Sequence, residues 1–347
     1  MTLSVVTGGT GFVGRHLVKS LLARGDHVRV LDIATPGPDN DDFGNLEHVE
    51  FLKTDITNAK EVEEGVRGAT SVFHVASVVH TKHNSQDFVF NVNLEGTKHL
   101  IRACQNDKDV KKLIYVSSGG VVYQGKDIEN GDESLPYALT SRAPYVLSKI
   151  EAEKEVLAAA SRNIDGLATI SLRPHVIFGP GDVRFLPSVV KNAKEGKLKF
   201  QIGRGAWMSD YTYIDNLVDA CLLADERLHN QSPISGQAYF ITNGEPMPFW
   251  DFVRSIVKQL DLPPMSETPL PHQPVLAFAY LREWYDTYVR GGTIGVEDGF
   301  TPFAISYMCT HHYFSIERAR NELGYQPKVS VAEGLERTCR AYLAMQA

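Results

Sequence analysis

The chain has 347 residues, 43% of them hydrophobic, and a formal net charge of -7 spread along its length. That is enough for a large core in two domains, or in one domain with an appendage. The balance excludes a basic nucleic-acid stripe, so no nucleic-acid partner is expected.

The four cysteines, Cys104, Cys221, Cys309 and Cys339, are far apart and form no CxxC pair. This argues for a reducing compartment and against a disulfide framework or a metal site. "MTLSVVTGG" lacks the basic n-region of a signal peptide, and the apolar run "PVLAFAYL" stops at Arg282, well short of a membrane span. A cytoplasmic protein is expected, with peripheral attachment to a membrane surface as the alternative.

Taken in order, the strand candidates are 3–7, 27–33, 49–54, 71–77, 112–118 and 168–174, with a late one at 237–243. They are mostly apolar rather than alternating, as parallel strands covered on both faces are. Helix candidates fall between them at 12–24, 58–67, 87–106 and 145–161. The alternation predicts an α/β fold, a Rossmann-like doubly wound parallel sheet. After about residue 175 loops lengthen and Pro, Gly and aromatics become frequent. Residues 1–175, with 211–242 returning to them, read as a dinucleotide-binding domain. Residues 176–210 and 243–347 read as a smaller, discontinuous substrate-binding lobe.

"VVTGGTGFVGRHLV" places Gly8, Gly11 and Gly14 between the first strand and the first helix. Gly8 suits a tight turn, Gly11 a close backbone approach to a pyrophosphate, and Gly14 close helix–strand packing. With Thr10, Phe12 and Val13 they form a phosphate loop at a helix N-terminus, where free N–H groups favour anions. Asp32 closes the second strand and can accept both hydroxyls of an adenosine ribose. It would repel a 2′-phosphate, and no arginine follows in "LDIATPG", so NAD is favoured over NADP. Asp55 and Ile56 suit the adenine edge, or a loop cap.

"APYVLSK" puts Tyr145 and Lys149 four residues apart on one helix face. A phenol near pKa 10 is a poor base at neutral pH, and a neighbouring ammonium lowers that pKa. Tyr145 would then take a proton from a secondary alcohol, while Lys149 would also hold the nicotinamide ribose. The competing reading is a half-buried tyrosine and a snorkelling lysine. "LIYVSSGGVVY" sets Ser117 and Ser118 at a strand's carboxyl end, where ligands of such sheets bind.

With these motifs, "NVNLEGT" at 91–97 and "LRPHVIFGPGD" at 172–182, the chain resembles the extended short-chain dehydrogenases/reductases nearly end to end. The resemblance implies a catalytic triad of Ser118, Tyr145 and Lys149, with Ser117 as the alternative serine. It implies that Pro174, His175 and Val176 contact the nicotinamide. It places Ala76 and Ser77 beside the cofactor ribose, and Asn93 behind it as a structural polar residue. Gly119 stands where many members carry a third small hydroxyl. A homodimer through the helices at 87–106 and 145–161 is implied in the same way.

"YFITNGEPMPFWDF" (239–252) and the stretch 300–335 resemble the 3β-hydroxysteroid dehydrogenase superfamily, especially its decarboxylating sterol-4α-carboxylate branch. Bacterial 2-alkyl-3-oxoalkanoate reductases are the alternative branch. The implied substrate is a small hydrophobic sterol, or a long-chain β-hydroxy or β-keto acid. Phe185, Trp207, Tyr213, Phe278, Trp284 and Tyr285 are candidates for its apolar walls. His80, His83, Arg184 and Arg204 are candidates for its carboxylate. The stripe Leu276, Tyr280, Trp284, Tyr288 predicts a pocket lid, a packing helix or a membrane-surface helix. A dinucleotide-sensing protein without catalysis is the non-enzyme alternative, and the Tyr/Lys pair argues against it.

Overall fold

The computed structural model describes residues 2–35, 43, 46–81, 83–161, 163, 165–266, 268–292 and 299–346. Seven parallel strands form the central sheet. Their spatial order is Gln237–Ile241, Ala168–Pro174, Lys112–Val116, Ser71–His74, Leu3–Thr7, His27–Asp32, Val49–Lys53. The strand-to-helix alternation predicted from sequence is thus present, and the late strand joins the sheet edge beside Ala168–Pro174. Chain order reverses between Leu3–Thr7 and Ser71–His74, and this switch point opens a crevice at the strands' carboxyl ends.

Five strands stop short of their sequence-predicted ends, three of them around the site. His27–Asp32, Ser71–His74 and Lys112–Val116 open into loops at residues expected to be extended. Those loops carry Ala76, Ser77 and Ser118 to the rim, while Ser117 stays buried. Thr7 fixes one of them, because its hydroxyl accepts from the N–H groups of Val75 and Ala76, both at 3.2 Å.

Helix Phe12–Arg24 ends at Gly25, whose φ of 93° lets its N–H reach back to the last turn. The helix predicted over 87–106 is interrupted. Gln86–Phe90 and Gly96–Asn106 are α-helical, and Asn91–Glu95 between them is a π turn. The wide turn aims Asn93 inward, where its side chain donates to the Val78 carbonyl and accepts from the Val78 N–H, both at 2.8 Å. Such turns often mark functional positions. Helix Pro144–Ala158 starts with Pro144 at its first position, where a missing N–H costs nothing.

The second lobe is built on a small sheet of Met247–Pro248, Met208–Ser209, His312–Phe314 and Ile128–Gly131. Ile128–Gly131 comes from the stretch read as purely nucleotide-binding, so the lobe also draws on the first half. Helices Phe185–Lys194, Phe249–Gln259, His272–Tyr288, Pro302–Met308 and Val331–Ala344 complete it. The core is continuous between the parts: Val6, Ile170, Tyr239, Phe252, Tyr325 and Leu335 belong to one buried cluster. Asn216 and Asn243 stitch the seam, each donating to the Val329 carbonyl at 2.8 and 2.9 Å. All four cysteines are buried and free. No helix among the described residues is long and apolar enough to cross a membrane.

Candidate active site

A cleft of about 810 Å³ lies over the switch point. It is lined by Gly8, Thr10, Gly11, Phe12, Val13, Gly14, Asp32, Asp55, Ile56, Ala76 and Ser77, all predicted from sequence. Its size falls in the range of small-molecule and cofactor sites. The glycines fit a cradle. Gly8 has φ +68°, and a Cβ there would stand 2.8 Å from the Cα of Ala76. A Cβ on Gly14 would overlap the Gly8 carbonyl oxygen, and one on Gly9 would meet Val30 at 2.7 Å. Gly9 had no sequence signal beyond its neighbours, because its constraint comes from the second strand.

Asp32 stands at the cleft edge. Its Oδ2 accepts from the Thr10 N–H at 3.1 Å and the Thr10 hydroxyl at 2.7 Å, and its Oδ1 from the Ala34 N–H at 3.2 Å. The carboxylate is therefore oriented before any ligand arrives. The glycine cradle, the helix N-terminus and this carboxylate fit a nicotinamide dinucleotide. Thr54, Thr57, Asn84, Asn91, Val183 and Arg184 also line the cleft, and only Arg184 among them was predicted, for a different role.

The second half of the site lies around helix Pro144–Ala158. Lys149 is 2% exposed. Its Nζ donates to the Val116 carbonyl at 2.7 Å and sits 4.4 Å from the Tyr115 ring centroid. Burial pushes its pKa down to about 7, against the opposing charge of Glu153 one turn further on. Glu153 is wholly buried and held by Arg173 at 2.6 Å and by the Ser171 hydroxyl at 2.7 Å. Its own pKa is lowered: burial acts upward, but the Arg173 guanidinium and these hydrogen bonds outweigh it. This carboxylate–guanidinium pair was missed. Its signals were present, as an arginine inside the fully buried strand Ala168–Pro174 and a glutamate four residues after the lysine.

Ser117 is buried and faces Glu153, whereas Ser118 is half-buried at the rim. Ser118 Oγ accepts from the Gly120 N–H at 3.1 Å and keeps its own proton to donate. This favours Ser118 over Ser117 for the serine role. Gly119 also gains a reason: a Cβ there would stand 3.1 Å from His175 Cδ2 and 3.3 Å from Phe314 Cε2.

In the segment predicted to contact the nicotinamide, the His175 ring is engaged within the protein. It is buried, its Nδ1 pairs with the Asp210 carbonyl at 3.0 Å, and its Nε2 pairs with the Tyr307 hydroxyl at 2.7 Å. Burial, then the neighbouring His312, hold its pKa well below the ordinary histidine value. Pro174 ends a buried strand, and Val176 has φ +33°, an uncommon conformation for a β-branched residue. Asn93 spends its side chain on Val78 and on Ser148 and so holds the loop, in line with the structural role that the resemblance implies.

Among the wall candidates, Tyr213 is buried in the core against Phe178, and Phe185 packs edge-on to Phe249 and Phe252. Tyr213 belongs to the core cluster that joins both parts, and Phe185 is partly buried against it. Trp207 packs on His272, whereas Phe278, Trp284 and Tyr285 are exposed on helix His272–Tyr288. His80 is buried, and His83 and Arg204 are exposed. Arg184 lines the dinucleotide cleft.

A smaller crevice of about 140 Å³ lies between the loop after Ser118, the loop before Tyr145, and helices His272–Tyr288 and Pro302–Met308. Tyr123, Ser141, Arg142, Tyr280, Glu283 and Phe303 are among its lining. Apart from Tyr280, placed on the helix stripe, these were missed, because they come from four separate segments.

The model of the 3-beta hydroxysteroid dehydrogenase/isomerase family matches residues 5–272. The chain is 38% identical over 339 residues to the human protein called sterol-4-alpha-carboxylate 3-dehydrogenase, decarboxylating, covering 97% of this chain and 87% of that one. It is 36% identical over 358 residues to 3beta-hydroxysteroid-dehydrogenase/decarboxylase isoform 1 of Arabidopsis thaliana, covering 99% and 80%. A solved structure of the Thermus thermophilus UDP-glucose 4-epimerase in complex with NAD superimposes with a TM-score of 0.70 at 25% identity, covering 99% of both chains. The chain belongs to the 3-beta hydroxysteroid dehydrogenase/isomerase family.

Proposed function

We propose that this enzyme oxidises the 3β-hydroxyl of a sterol bearing a 4α-carboxyl group, with NAD as the electron acceptor, and that the product loses CO2. The carrying observation is that Lys149, one helical turn after Tyr145, is buried and donates to the Val116 carbonyl at the end of the strand that leads to Ser118, in the same parallel sheet whose switch point opens into the glycine-cradled cleft. The substrate class comes from the names of the relatives, and NAD from Asp32.

The dinucleotide, when bound, supplies the hydride acceptor. Gly8, Gly11 and Gly14 with the following helix N-terminus would hold its phosphates, and Asp32 its adenosine ribose. Ser118 donates a hydrogen bond to the substrate oxygen and fixes it. Tyr145 takes the hydroxyl proton as the carbon–hydrogen bond breaks. Lys149, when protonated, favours the phenolate and so makes Tyr145 a competent base near neutral pH. The resulting ketone lies β to the carboxylate. The bond between C4 and the carboxylate then breaks, its electron pair moves onto the ketone oxygen as an enolate, and proton uptake completes the reaction. No metal is needed for that step.

The test is a screen of purified protein with NAD and NADP separately, reading reduced cofactor and released CO2. A 4α-carboxy-3β-hydroxysterol is expected to turn over with NAD and release CO2, and Tyr145→Phe to abolish turnover with little change in cofactor affinity. Oxidation of NADH or NADPH by 2-alkyl-3-oxo acids, with no turnover of carboxysterols, would replace the substrate reading. Near-normal activity in Tyr145→Phe would overturn the mechanism. Two further parts of the proposal are a homodimer through the helices at 87–106 and 145–161, and peripheral contact with a lipid surface. The second is supported by Phe278, Leu281, Trp284 and Tyr288 exposed on helix His272–Tyr288.

A further inference from the structure

A β-hydroxy acid sets a demand on the site. Its carboxyl group is attached to the carbon next to the carbinol, so whatever anchors the carboxylate must stand close to Tyr145. Arg204 is exposed on a turn of the lobe, and Arg184 lines the dinucleotide cleft. Arg142 is different. It lies three residues before Tyr145 and lines the small crevice between the two catalytic loops. Phe303, which also lines the crevice, packs with Tyr145 against the buried cluster that includes Val146.

Arg142 already holds a carboxylate. Glu283, from the covering helix His272–Tyr288, sits 3.2 Å from its Nη1. The Glu283 side chain is 13% exposed and that of Arg142 57%. The acid is thus tucked under the helix, while the guanidinium stays open to an arriving anion. The crevice volume, about 140 Å³, is far below what a tetracyclic sterol needs. The crevice can therefore take only the carboxylate end of the substrate, and the Arg142–Glu283 pair ties helix His272–Tyr288 to the loop before Tyr145. A partly exposed pair of this kind is a weak tie.

Resting on the proposed function, we propose that Arg142 anchors the substrate carboxylate and that Glu283 occupies the guanidinium until substrate replaces it. One carboxylate exchanges for another, so the arginine is never left without a counter-charge. A guanidinium presents two parallel N–H donors to a carboxylate, which fixes its orientation as well as its position. The same contact selects carboxylated sterols over plain 3β-hydroxysterols.

The experiment compares a 4α-carboxy-3β-hydroxysterol with the matching sterol lacking the carboxyl group, in the full-length enzyme with NAD. In Arg142→Met, the kcat/KM preference for the carboxylated sterol is expected to fall about 30-fold, the scale of one lost charge-assisted contact. The loss is expected mainly in KM, and Arg142→Lys is expected to recover part of it. Glu283→Gln is expected to move the other way, lowering KM for the carboxylated sterol several-fold by removing its competitor. Cofactor affinity and the denaturation midpoint verify that each variant is folded. An Arg142→Met enzyme that keeps the wild-type preference overturns this inference alone. So does a Glu283→Gln enzyme whose KM for the carboxylated sterol rises. A wild-type enzyme that shows no preference for the carboxylated sterol overturns the proposed substrate, and this inference with it.

Discussion

Lys149→Met separates what this residue does for catalysis from what it costs the fold. The wild-type amine is taken almost entirely out of water, and its pKa falls from 10.5 to about 7. At about 1.4 kcal/mol per decade, that displacement corresponds to roughly 4–5 kcal/mol of destabilisation when the lysine is charged. The folded pKa lies below the unfolded one, so protons bind more tightly to the unfolded chain. The penalty is therefore full below about pH 7 and fades as pH rises toward 10.5. Methionine removes it while filling a similar volume. It also leaves the Val116 carbonyl, now bound at 2.7 Å, without its donor, at a cost of about 1–3 kcal/mol. The variant is thus expected to be inactive, yet about 2–3 kcal/mol more stable than wild type at pH 6. By pH 9.5 the advantage is expected to vanish or reverse. Urea denaturation of both proteins at pH 6, 7.5 and 9.5 reads this directly. A variant less stable than wild type at pH 6, or a gap that does not change with pH, would refute the reasoning.

Ser118→Ala is expected to lower kcat by roughly 100-fold while KM changes little, because its hydroxyl is assigned to the reacting oxygen; steady-state kinetics tests this. Asp32→Ser is expected to shift cofactor preference toward NADP by at least about tenfold, removing the carboxylate that would repel a 2′-phosphate. It also releases the Thr10 tie, so affinity for NAD should drop; parallel Kd measurements for both cofactors decide it. Gly119→Ser adds a hydroxyl beside Ser118, but its Cβ crowds His175 and Phe314. A loss of about 1–3 kcal/mol in stability is expected from overpacking, and an unchanged denaturation midpoint would contradict it.

Much of the site was readable in the chain because its chemistry is local. The glycine loop, Asp32 and the Tyr145–Lys149 spacing each depend on neighbours within one strand–loop–helix unit. Apolar runs alternating with helical periodicity likewise determine a doubly wound parallel sheet, since parallel strands must be covered on both faces. What the reading did not foresee has the opposite property. Tyr307 and Asp210, over a hundred and over thirty residues away, hold the His175 ring. Tyr213 lies in the core shared between sheet and lobe, and Phe185 packs against it. The π turn at Asn91–Glu95 was read as continuous helix, although Asn93 there bonds backbone from a different loop.

By itself, the sequence determined the fold class, the glycine cradle and the placing of Tyr145 and Lys149 one turn apart on a helix, because each follows from residue type and short-range spacing. Only the tertiary structure decided how dry Lys149 is, which of two serines meets the rim, and that Arg142 faces Glu283 across a crevice. Desolvation and charge pairing depend on what long-range packing brings within a few ångströms, and no local pattern encodes those neighbours.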